Sequence, residues 1–312
     1  MLFNQFDKLR LAFGGASVSG EGGGYGFGSI CEADAISLLT LAFERGIRVF
    51  DSAPIYGFGL SEKRIGKAFK NIRENVFLIS KSGVSWHSSR RVNMTNDPQV
   101  TQNMLEQSLR DFACDYIDLY MIHWPDPRVD IRRAVEVLER ARLKGQIKHI
   151  GLCNTNLEDL DKASEISKVE VVQSEYNLLN RKFEDFLPVL KTRQIECMTW
   201  GTLDKGIISG SVGRDRKYEK EDCRSSAPWW KKDDVLKKVI AMEKVLNHLQ
   251  QHGHNGLELA MAHHQRQKGL GLALVGVRNP EQLESLLNAY ATCLADDLYQ
   301  ECLDILAKNL PA

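Results

Sequence analysis

The feature that most constrains this chain is a rhythm. Short runs suited to buried strands alternate with longer stretches that carry apolar residues at helical spacing. The runs are 9–13 (LRLAF), 47–50 (IRVF), 76–80 (VFLIS), 116–122 (YIDLYMI), 147–152 (IKHIGL), 169–173, 195–199 and 272–275. Between them lie amphipathic segments over 32–45, 61–70, 98–112, 131–143, 157–167, 183–191 and 257–267, and 280–289 closes the series. In the first segment Ala35, Leu38, Leu39, Ala42 and Phe43 recur at helical intervals, and Gly46 stands where such a helix stops. Strands separated by helices run parallel, because no tight turn joins a parallel pair. Eight such units in 312 residues predict an α/β fold of the (β/α)8 or TIM barrel type, which needs ~250 residues. We read residues 1–312 as a single barrel domain with loop insertions. The surplus falls at Gly201–Lys232 and in a helix over Val235–Gln251, with the glycine-rich Gly20–Ser29 read as a mobile loop near the barrel opening. The competing fold is a doubly wound open sheet. The glycines of residues 22–28 lack its G-x-G-x-x-G spacing, and no helix starts where a phosphate would sit.

Charge narrows the partners. Lys+Arg and Asp+Glu each total 41, so a clustered basic face of the kind that binds nucleic acid is not expected. The seven cysteines are scattered with no C-x-x-C pair, which reads as reduced thiols in a cytoplasmic protein. No basic flank followed by an apolar run opens the chain, and no run of ~18 apolar residues suggests a membrane span. The oligomeric state is not legible.

Barrels carry their chemistry at the C-terminal ends of the strands. Asp51 and Tyr56 follow the second run, Lys81 the third and His123 the fourth; Cys153 and Asn154 follow the fifth. Gln173 and Trp200 end the sixth and seventh, and Gly276 and Arg278 follow the eighth. Singly, each has an ordinary explanation: a capping Asp, a packing Tyr, a solvated Lys, a structural His. Gathered on one mouth, they make a general acid site. A phenol has a pKa of ~10, and a neighbouring ammonium lowers it. Asp51 would hold Lys81, and His123 would orient a carbonyl oxygen. Protonating a carbonyl oxygen calls for a hydride at carbon, which no side chain supplies, so a nicotinamide or flavin is implied. No His and carboxylate cluster at ligand spacing points to a metal, and His252, His254, His263 and His264 read as surface or packing residues. A metal-dependent isomerase or hydrolase would need more ligands than Asp51 and His123.

These residues sit in motifs that resemble the aldo-keto reductases over nearly the whole chain. The motifs are 50–57 (FDSAPIYG) with Leu60-Ser61-Glu62, Ser80-Lys81, 116–125 (YIDLYMIHWP), 151–154 (GLCN), 173–177 (QSEYN) and 276–283 (GVRNPEQL). Phe13-Gly14-Gly15-Ala16 is similar to the branch acting on sugars and pyridoxal-type aldehydes. The resemblance implies an NADPH-dependent carbonyl reductase, with NADH the less favoured cofactor and a small-molecule carbonyl as partner. It implies Tyr56 as acid, Lys81 as its tuner, Asp51 as the partner of Lys81, and His123 as the substrate-orienting imidazole. Asn154 and Gln173 would hold the nicotinamide amide and Trp200 would stack on its ring. Gly206 and Ser209 would line the pyrophosphate. Gly276 lies at the last strand end, and Arg278 and Gln282 would face the adenosine ribose phosphate, where an Arg favours NADPH. Cys153 stands where the family often has Ser, Gly201-Thr202-Leu203 replaces Ser-Pro-Leu, and Ser285-Leu286 replaces Glu-Asn near the adenine. These departures leave an alternative, a nucleotide-binding regulatory subunit with little turnover.

Overall fold

The computed structural model describes residues 2–6, 8–20 and 24–310; residues 21–23 of the glycine-rich loop lie outside it. Eight parallel strands close into a barrel: β1 (Leu11–Gly14), β2 (Val49–Asp51), β3 (Phe77–Ser82), β6 (Ile117–Ile122), β7 (Ile147–Cys153), β8 (Val171–Glu175), β9 (Glu196–Trp200) and β10 (Leu272–Val275). β1 completes the ring by pairing with both β2 and β10. The two remaining strands, β4 (Val84–Trp86) and β5 (Val92–Met94), form an antiparallel hairpin in what reads from sequence as a polar loop.

Strands β2, β3 and β6 are buried along their whole length, as a sheet covered on both faces requires. Inward-facing Ala12, Val49, Ile79, Leu119, Met121 and Met198 fill the barrel. The N-terminal mouth is plugged by the 3-10 turn Leu2–Phe6. Phe3 packs edge-on against Phe77 at 5.9 Å, and its N–H donates to the Glu196 carboxylate. The chemistry-bearing ends of Asp51 and Lys81 are at the other mouth.

The outer layer is α1 (Glu32–Glu44), α2 (Leu60–Phe69), α3 (Pro98–Phe112), α4 (Ile131–Leu143), α5 (Leu157–Ile166), α6 (Leu187–Thr192), α7 (Lys232–Gln251), α8 (Gly256–Arg266), α9 (Pro280–Ala291) and α10 (Asp296–Asn309). The helix expected over 183–191 is a 3-10 turn, Lys182–Phe186, running into the short α6. α10 follows α9, the helix that closes the series in the sequence pattern. Leu298, Cys302 and Leu306 bury its apolar face. Among the described residues no helix is long and apolar enough to cross a membrane.

Candidate active site

The barrel ends bring Asp51, Lys81, Tyr56 and His123 together. β2 and β3 are neighbours, so Asp51 and Lys81 leave adjacent strands toward the same interior. Lys81 Nζ donates to Asp51 Oδ1 at 2.6 Å and to the Ser52 carbonyl at 2.9 Å, and neither side chain of the pair reaches solvent. The ammonium lies 5.3 Å from the centroid of the Tyr56 ring. His123 is drawn in because its N–H donates to the Ser82 carbonyl, which extends the β3–β6 pairing past the end of β6. Its Nε2 is 3.5 Å from the Tyr56 hydroxyl, with the rings edge to face.

Burial sets the protonation states. It pushes the Tyr56 phenol above its ordinary range; Lys81 pulls the other way and Asp51 adds to the rise. The net displacement is therefore opposite in sign to the one expected from Lys81 alone, because desolvation of the phenolate outweighs one ammonium. The Lys81 ammonium stays charged: Asp51 and its hydrogen bond offset the cost of burial and hold it above its ordinary value. His123 is held well below its ordinary value by burial and by repulsion from Lys81, so its imidazole is neutral. The resting site thus has a protonated phenol, a neutral imidazole and a paired ammonium.

Two amides extend this cluster. Gln173 is buried, its Nε2 donating to Asp51 Oδ2 at 2.9 Å while its Oε1 accepts from the Cys153 thiol at 3.3 Å. Asn154 adopts a left-handed conformation, φ 53°, which Asn tolerates better than most residues. Its Nδ2 donates to the His123 carbonyl at 3.0 Å and its Oδ1 accepts from Trp200 Nε1 at 3.0 Å. Cys153 Sγ also accepts from Asn154 Nδ2, and burial pushes the thiol up to about 12. Asp51, Tyr56, Lys81, His123, Asn154, Gln173 and Trp200 form one continuous group. Gln173 spends both ends of its amide on Asp51 and Cys153, so its first task here is to fix the carboxylate.

The other candidates lie farther along the mouth. Gly206 follows Trp200 with φ +102°, and a Cβ there would meet Ser211 Oγ at 2.5 Å; the Ser209 hydroxyl donates to the Gly206 carbonyl. Thr202, in place of the expected Pro, donates to the Leu274 carbonyl at 2.9 Å and ties this loop to β10. Gly276 packs beside Gly14 and Ser17. Arg278 Nη2 donates to the Ser29 carbonyl at 2.7 Å, and its backbone N–H donates to Gln282 Oε1. Leu286, where a polar contact to adenine would be sought, is buried in the core instead. The described part of the glycine-rich loop is tied down: Gly28 N–H donates to the Glu221 carbonyl and Cys223 N–H to that of Gly26.

Sequence reasoning missed Lys205 and Phe58 at this mouth. Lys205 lies 5.5 Å from the Trp200 ring and pairs with Glu175 at 2.6 Å. Tyr25, Phe58 and Trp86 pack with Tyr56 around Ala53, Ile55 and Val84, and Phe58 meets Trp86 edge-on at 5.4 Å. Only the hairpin, invisible to periodicity, brings Trp86 there.

The donor set fits a dinucleotide. Amide groups and an indole stand next to the acid, a glycine turn with a hydroxyl follows, and Arg278 keeps a buried Nε with no hydrogen-bond partner. An unsatisfied buried guanidinium N–H is costly, and an anion would relieve it.

The model of the aldo/keto reductase family matches residues 10–307. The chain is 33% identical over 270 residues to the Bacillus subtilis aldo-keto reductase YhdN, covering 85% of this chain and 81% of that protein. It is 28% identical to an NADH-specific methylglyoxal reductase of Escherichia coli, over 92% of each. Its structure is similar to that of a glycerol dehydrogenase from Gluconobacter oxydans, with TM-score 0.83, 27% identity, and 97% and 93% of the two chains covered.

Proposed function

Because this chain belongs to the aldo/keto reductase family, oxidoreductases of carbonyls and alcohols, we propose that it is an NADP(H)-dependent reductase of a small aldehyde or ketone, with Tyr56 as the general acid. The observation that carries this reading is the meeting of Tyr56, Lys81 and His123 at the barrel mouth. When bound, the nicotinamide supplies a hydride to the carbonyl carbon. The protein supplies the proton. Tyr56 keeps its proton at neutral pH because burial raises its pKa, and it hands it to the substrate oxygen. Lys81 then stabilises the phenolate left behind, and the Asp51–Gln173 pair keeps the ammonium aimed at it. His123, neutral and in its Nε2–H tautomer, donates to the same oxygen and fixes its approach. Asn154 and Trp200 hold the nicotinamide, Gly206 and Ser209 the pyrophosphate, and Arg278 with Gln282 the ribose phosphate. Gln173 reaches the nicotinamide amide through its second Nε2 N–H or the second lone pair of Oε1, since Asp51 and Cys153 take one of each.

Two relatives carry small oxygenated three-carbon compounds in their names, methylglyoxal and glycerol. That supports a compact substrate, set against Tyr25, Phe58 and Trp86. The test is oxidation of NADPH with a panel of short aldehydes and ketones. Tyr56→Phe keeps cofactor binding, read by quenching of tryptophan fluorescence, and lowers kcat by ~10²–10⁴. Unchanged turnover in this variant would remove Tyr56 from the mechanism. Cofactor binding with no turnover of any substrate in the wild type would favour the regulatory-subunit alternative.

A further inference from the structure

In the outer layer of helices, the C-terminal end of α7 and the face of α10 place two imidazoles and a carboxylate together. We propose that His248, His252 and Glu301 form a binding site for a divalent transition-metal ion of the zinc class, clamping α7 to α10. The spacing is the first argument. His248, in the last turn of α7, and His252, its C-cap, are one helical turn apart, so both rings project from the same face, with centroids 4.7 Å apart. Glu301 comes from α10, and its Oε2 is 2.8 Å from His248 Nε2. One ligand atom from each residue lies within 4.8 Å of the other two. Tetrahedral zinc with bonds of about 2.0–2.1 Å to nitrogen and oxygen holds its ligands ~3.3 Å apart. His252 and Glu301 are exposed, so small rotations of free side chains close that difference.

The tautomer is the second argument. His252 Nδ1–H donates to the His248 carbonyl at 2.9 Å. This bond fixes the proton on Nδ1 and leaves the lone pair of Nε2 directed away from the helix, the outer hydrogen bond that metal-binding histidines make. The third is the field. His252 is the C-cap of a 20-residue helix, where the unpaired carbonyls concentrate negative charge and favour a cation. Two imidazoles and one carboxylate make a borderline donor set that suits Zn²⁺, Ni²⁺ or Cu²⁺ over Mg²⁺ or Ca²⁺. Solvent completes the coordination on the open side. The site is hidden from the sequence because Glu301 reaches the two histidines only when α10 docks against α7.

The experiment uses the full chain without an affinity tag, stripped of metal and titrated with ZnCl₂ by calorimetry, with thermal melts in parallel. One zinc binds per chain and raises Tm. His252→Gln and Glu301→Gln, both exposed positions that leave the metal-free melt unchanged, weaken binding by at least about tenfold. His248→Ala combined with His252→Gln abolishes it together with the shift in Tm. Absence of a saturable single equivalent would overturn the proposal. So would uptake that persists undiminished in the double variant, since the exposed Cys31 and Cys293 thiols would then be the ligands.

Discussion

Behind Lys81 lies a carboxylic acid that the proposed mechanism does not use. Glu62 is fully buried; Ser80 Oγ donates to its Oε1 at 2.5 Å, and its Oε2 has no partner. Burial, helped by Asp111 and opposed by Ser80, Ser108 and Lys81, raises its pKa from 4.5 to about 8. The folded protein therefore keeps a proton that the unfolded chain has lost. Stability from this group is complete below the unfolded pKa of 4.5 and drains as pH rises toward about 8. Glu62→Gln stays neutral throughout. The variant gains on the wild type by up to about 1.4 kcal/mol per pH unit between pH ~5 and ~8, then levels off. Denaturant melts across that range check this, and parallel curves would show that Glu62 is ionised in the fold. Glu62 was visible in its motif, yet its protonation was not, because that depends on Ser80, Ser108 and Asp111 arriving from other elements. The meeting of the proposed catalytic residues was legible for the opposite reason. Asp51, Lys81 and His123 are tied to the ends of strands, and strand ends can be read from hydrophobic runs.

Elements were legible where period and caps agreed. α3 and α4 have the bounds their patterns predict, each opened by an Asp whose carboxylate accepts from first-turn N–H groups. α9 joins local structure to the proposed cofactor site. Asn279 Oδ1 accepts from Gln282 N–H at 2.8 Å, Pro280 occupies the first turn, and Gln282 Oε1 accepts from the Arg278 backbone at 2.9 Å. Asn279→Ala removes the cap and costs ~1 kcal/mol in urea denaturation. Ser285→Ala, exposed on the same helix, stays within ~0.5 kcal/mol. Equal losses would show that the cap carries nothing. The elements that escaped the sequence are those held by tertiary contact. β4 and β5 are three-residue strands, too short for a period. The turn Leu2–Phe6 is fixed by Phe77 and Glu196 from distant strands.

At the scale of the molecule, closing the barrel brings three distant stretches of the chain together around Arg278. The loop after β1 offers the Ser29 carbonyl, the insertion offers Asp222 and Arg224, and the turn after β10 offers Arg278. Gly28 is required for the approach: φ is +107°, and a Cβ there would lie 3.1 Å from Arg278 Nη1. Asp222 already pairs with Arg224 at 2.6 Å. Arg278 is left with a backbone carbonyl and a buried, unpartnered Nε; burial lowers its pKa, and attraction to Asp222, countered by repulsion from Arg224, does not restore it. A guanidinium so placed gains most from a dianion, and a ribose 2′-phosphate is one. A charge-assisted contact contributes about 1.5–3 kcal/mol, so Arg278→Ala raises the KM for NADPH roughly 10–100-fold while the KM for NADH changes little. The E. coli relative, named as NADH-specific, makes the contrast informative. Wild type that prefers NADH, or a variant that loses both cofactors equally, would mean that Arg278 only secures the loop at Ser29. A selective loss of NADPH would make this cluster, assembled from both ends of the chain, the seat of cofactor choice.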